Sequence, residues 1–70
     1  MTVEELILSC RNDLKNVWLF DQDGTALAMG GPYSYEVKDY FHYEVEYFDL
    51  EKVYTLQGVS IYDLNITLEV

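Results

Sequence analysis

Seventy residues carry thirteen Asp and Glu against four Lys and Arg, a formal charge of −9, and half of the chain is hydrophobic. So few cations exclude nucleic-acid binding by phosphate neutralisation, and the same charge is repelled by an anionic membrane. The apolar runs are a few residues long, far below the roughly 20 that span a bilayer.

A chain of this length makes one domain, residues 1–70, and buries only about 60% of the surface its unfolded form exposes, so its stability is marginal. Disordered acidic tails carry few aromatics and block their charges. Here Tyr, Leu, Ile and Val are interleaved with the carboxylates throughout, the pattern of a folded protein with an acidic surface. Cys10 is the only cysteine, which excludes an internal disulfide; with no basic leader pattern, the expected location is the cytoplasm of a host cell.

Thr2 and Glu5 have the spacing of a capping box, so a helix is predicted from Val3. Val3, Leu6, Ile7, Cys10 and Leu14 follow the spacing of one helical face, and Asn12, Asp13 and Asn16 favour its termination. The run Val17-Trp18-Leu19-Phe20, the turn Asp21-Gln22-Asp23-Gly24 and the segment Thr25 to Met29 then predict a β-hairpin. Gly30-Gly31-Pro32 breaks its second strand.

The stretch Tyr33 to Glu51 holds seven of the ten Tyr and Phe and six of the thirteen carboxylates, against the single cation Lys38. Its first part, Tyr33 to Phe41, alternates poorly and leaves a helical turn and a strand both open. From His42, Tyr43, Val45 and Tyr47 point to one side as core and Glu44 and Glu46 to the other. Phe48 and Leu50 take the opposite phase, which predicts a bulge near Tyr47 or Phe48. Lys52 to Leu56 reads as a strand, Gln57-Gly58 as a turn, and Val59 to Val70 as a last strand with a phase change near Tyr62 and Asp63. Leu64, Ile66, Leu68 and Val70 face one side of it, and Asn65, Thr67 and Glu69 the other. The expected architecture is α+β, one N-terminal helix packed on a four- or five-stranded antiparallel sheet.

No catalytic constellation assembles, and the expectation is a protein that is not an enzyme and takes no metal or cofactor. Phe20-Asp21-Gln22-Asp23-Gly24-Thr25 resembles the first motif of haloacid-dehalogenase-type phosphatases, with Asp21 as nucleophile and Asp23 as acid. That family needs a far longer chain, and a strand follows Gly24 directly. Asp21 and Asp23 also suit a Ca²⁺ loop, but the bidentate Glu about six residues beyond the glycine is missing. Cys10 lies on an apolar stripe, where a thiol is an inert hydrophobe, and His42 is the only histidine.

An acidic chain with a TVEELI helix, a strand-DxDG-strand hairpin and a Tyr/Glu-rich second half resembles the small proteins of phages and mobile elements, among them anti-CRISPR proteins that mimic DNA. The resemblance implies a stoichiometric inhibitor in the basic nucleic-acid-binding groove of a host CRISPR effector or other defence nuclease. The carboxylates themselves point the same way. Residues i and i+2 of a strand lie about 6.7 Å apart on one face, comparable with successive phosphates, and Glu44 and Glu46 have this relation. Glu69 on a neighbouring strand, with Glu36, Asp39, Tyr40, Asp49 and Glu51, completes the expected partner-binding set. The second reading is a small structural or assembly protein that acts as a homodimer.

Overall fold

The capping box forms. The Thr2 hydroxyl accepts the Glu5 amide at 3.2 Å, and the Glu5 carboxylate accepts the Thr2 amide at 2.8 Å. Together they start helix α1, Val3–Ser9. In this computed structural model, which describes residues 1–70, four strands and a second helix follow: β1 (Asp13–Phe20), β2 (Ala26–Gly30), α2 (Tyr35–Lys38), β3 (Val45–Leu56) and β4 (Val59–Leu68). None of the helices is long and apolar enough to cross a membrane.

Helix α1 is shorter than the apolar periodicity extends. Cys10 already has extended backbone, φ −73° and ψ 126°, and serves as the C-cap, while Leu14 belongs to β1. Pairing of β1 with β4 begins at Asp13, and those interstrand hydrogen bonds override a helical spacing that happened to continue into the strand.

The sheet has the order β2-β1-β4-β3. Both hairpins are antiparallel, as expected, but the central pair β1–β4 is parallel, so the sheet is mixed. This direction follows from the connection between the hairpins. Parallel alignment needs a crossover of roughly a dozen residues or more, and residues 31–44, which include α2, carry the chain from one edge of the sheet to the other. The undecided segment Tyr33 to Phe41 thus contains a helical turn.

The core lies on one face only. Val17 and Leu19 of β1 and Leu64, Ile66 and Leu68 of β4 pack under Val3, Leu6 and Ile7 of α1 and Val37 of α2. Nothing covers the opposite face. The alternation of Leu64, Ile66 and Leu68 is as expected, but Val70 lies beyond β4 and is exposed.

The bulges sit partly where the pattern placed them. A register shift between Val45 and Tyr47 leaves Glu46 as the extra residue, so Val45 packs against the core while Tyr47 turns to the uncovered face, 63% exposed. Tyr43, at 42% exposure, is not core either; its ring packs on Tyr40 with centroids 5.0 Å apart. Strand β4 keeps its pleat through Tyr62 and Asp63. Its irregularities belong to its partners, at Lys15 of β1 and Val53 of β3, so the expected phase change is one of hydrophobicity and not of backbone. At the β3–β4 turn, Gln57 and Gly58 both have positive φ, 50° and 82°, as a two-residue hairpin of this hand requires.

Candidate functional site

Pairing across β1, β4 and β3 sets nine side chains of the uncovered face in three rows. Phe20, Thr67 and Tyr47 form one; Trp18, Asn65 and Asp49 the next; Asn16, Asp63 and Glu51 the third. Read along the strands, all of these residues but Asn16 line a trough of about 550 Å³. Its aromatic wall is Trp18 and Phe20, whose rings lie within 10° of parallel with centroids 6.3 Å apart. The facing wall is Tyr47, Asp49 and Glu51 on the edge strand, and the short side chains of Asp63, Asn65 and Thr67 form the floor.

Asp63 is held through both of its oxygens. One oxygen accepts the Asn16 backbone amide at 3.2 Å and the other the Trp18 indole N–H at 3.3 Å. The bulge at Lys15 moves the following backbone amide into reach, and it sends the Lys15 ammonium over the Tyr54 ring, 5.5 Å from its centroid. Lys15 thus lies over a ring and makes no ion pair with a carboxylate. Indeed the only ion pair in the protein joins the Met1 amine to Glu44 at 2.9 Å, and none of the four Lys and Arg neutralises an Asp or Glu.

The eight residues expected to bind a partner are spread over four places. Asp49 and Glu51 lie in the trough. Glu44 and Glu69 meet at the amino-terminal corner, where the Glu69 amide donates to the Glu44 carbonyl at 3.0 Å and the Glu44 carboxylate holds the amine. That contact raises the amine above its ordinary value, so the pair persists to higher pH. Glu46 is the bulged residue and accepts from the Gln22 side chain in the β1–β2 turn. Glu36, Asp39 and Tyr40 are on or just after α2, in the helical layer. The regular i, i+2 relation assigned to Glu44 and Glu46 therefore belongs to Asp49 and Glu51, because Glu44 precedes β3 and the bulge breaks the spacing.

Trp18, Phe20, Tyr47, Asp63, Asn65 and Thr67 were not expected at the site. A trace of them was present in the alternation of Asp63-Leu64-Asn65-Ile66-Thr67-Leu68, which marks one polar and one buried face. What placed Trp18 and Phe20 beside that polar face was the β1–β4 pairing, which joins residues more than forty positions apart.

The other chemistries find no support in the geometry. One Asp21 oxygen accepts the amides of Asp23 and Thr25, both at 2.9 Å, which makes it the keystone of the β1–β2 turn. Cys10 has only Asn12 oxygens as polar neighbours, each at 4.0 Å. No three His, Cys, Asp or Glu side chains converge as a metal site would need. No protein-family model, curated protein or solved structure matches the chain.

Proposed function

We propose that this chain is an acidic protein-binding module that occupies a basic nucleic-acid-binding site on another protein and so acts as a stoichiometric inhibitor. The observation that carries this reading is the absence of internal neutralisation: the charge of −9 meets a single ion pair, and that one uses the terminal amine. An acidic surface kept unpaired at a cost in self-repulsion is available to a cationic partner. Asp49 and Glu51, about 6.7 Å apart along a strand, supply the phosphate-like spacing. By resemblance, the target is a CRISPR nuclease or other defence nuclease in the cytoplasm of a host cell.

The test is inhibition of such a nuclease by the purified chain, compared with the double variant Asp49→Lys/Glu51→Lys. Inhibition is expected to fall steeply with the variant and with added salt. Undiminished inhibition by the variant would remove the trough from the interface.

A homodimeric assembly protein is the second reading. It is favoured by the edge strand β3, whose outer edge is unpaired beyond Val45 and on which Phe48 and Leu50 are exposed on the core side of the sheet. Edges of this kind pair readily with other strands, although two copies at −9 each repel one another. Sedimentation at micromolar concentration separates the readings: a strict monomer at moderate salt leaves the edge without this role.

A further inference from the structure

Beyond an acidic surface, the trough has the shape and chemistry to discriminate between cations. We propose that it is a subsite for arginine side chains of an extended basic segment in the partner protein. This rests on the reading of the chain as a module for basic partners, and it names the group that is read.

The aromatic wall and the acidic wall stand on β1 and β3 with β4 between them, two strand spacings or about 9.6 Å apart at the backbone. That width suits one flat side chain or one extended segment. A guanidinium lying against Trp18 or Phe20 meets the negative face of a ring whose neighbour lies within 10° of parallel to it. From there its N–H groups are directed across the floor toward Asp49 and Glu51, whose carboxylates have no ion-pair partner in the protein.

Asp63 contributes in another way. Its hydrogen bond from the Trp18 indole fixes the ring's orientation and places a carboxylate at the edge of the ring platform. A planar fork of donors can stack and bond at once, whereas a lysine ammonium is a compact charge that cannot stack. The charge of the trough excludes phosphate and a second copy of this chain as occupants. Thr67 and Asn65, short and polar, keep the floor low enough for the guanidinium to reach both walls.

Trp18 is the only tryptophan, so its fluorescence reports on this wall alone. The experiment titrates the full chain with hexa-arginine and with hexa-lysine in moderate salt. It repeats the titration with Asp49→Asn/Glu51→Gln and with Glu36→Gln/Asp39→Asn, which removes the same charge from the helical layer. Expected are Trp18 quenching with hexa-arginine, a preference over hexa-lysine of about fivefold or more, a loss of roughly tenfold in the trough variant, and a change within about twofold in the α2 variant.

Equal affinity for the two peptides, with equal loss in the two variants, would overturn the arginine subsite while leaving the acidic-module reading in place. A Trp18 signal unmoved by either peptide would overturn it as well. The parent reading fails separately, if the chain does not inhibit or bind any basic nucleic-acid-binding protein by pull-down.

Discussion

Glu51 and Asp63 face each other directly across the β3–β4 ladder, two like charges on the same face of an antiparallel pair. Such a pair destabilises a sheet, whereas an opposite-charge pair contributes roughly 0.2–1 kcal/mol. Replacing Glu51 by Lys removes the repulsion, creates an attraction, and takes the net charge from −9 to −7, two charge units of change. Screening at an exposed edge holds the gain to about 0.5–1 kcal/mol. For a domain of this size, that is a rise in Tm of about 2–8 °C. Thermal denaturation followed by circular dichroism at about 10 mM salt, where the Debye length is roughly 30 Å, should show the full difference. At about 1 M, where it is roughly 3 Å, the gap should nearly close. The Glu51→Gln variant is expected to fall between the two proteins. If the proposed reading holds, the same Glu51→Lys chain gains stability while it loses affinity for a basic partner. A Glu51→Lys protein that melts at or below the parent temperature in low salt would refute the reasoning, as would a gap indifferent to salt.

Ile66 is fully buried on the central strand β4, so Ile66→Ala is expected to cost about 2–5 kcal/mol. Seventy residues hold a total stability of roughly 3.5–10 kcal/mol, so urea denaturation should show the midpoint displaced far toward zero; a loss below about 1 kcal/mol would mean that this face is loosely packed. Thr2→Ala removes the N-cap and is expected to cost about 1 kcal/mol by the same assay. The Glu5 carboxylate accepts the Thr2 backbone amide, and this contact first, with the adjacent Thr2 hydroxyl second, holds it below its ordinary value of 4.5. Its contribution is therefore complete above that ordinary value and is lost as pH falls through the lowered one. The stability difference between the parent and Glu5→Gln should accordingly be constant from pH 7 to about pH 5 and vanish on further acidification. A difference that persists at pH 2 would show that the ionised carboxylate is not its source.

Local features were legible because local chemistry decides them. Thr2 and Glu5, three positions apart, form a capping box from local chemistry alone, and Asp21 with Gly24 closes a turn from its own backbone and side chain. Strand β4 was visible in its alternation, the second half of β1 in the apolar run Val17 to Phe20, and β2 in the turn before it and the Gly30-Gly31-Pro32 break after it. Bulges were only half legible. A change of phase by Phe48 was apparent, yet whether Tyr47 faced the core with Val45 depended on where the extra residue fell, at Glu46.

By itself, the sequence determined the α+β class, the two hairpins, the Leu64-Ile66-Leu68 core strand and the acidity, since these rest on periodicity, turn chemistry and composition. Tertiary structure alone decided that β1 and β4 run parallel, that α2 crosses on the same side as α1, and that one face of the sheet is left bare. Pairing across such long sequence separations depends on loop-closure entropy and on packing of the whole chain, quantities that no local window contains. That pairing set Trp18 and Phe20 opposite Asp49 and Glu51, and it separated those two carboxylates from Glu44 and Glu69, which the chain had seemed to group with them.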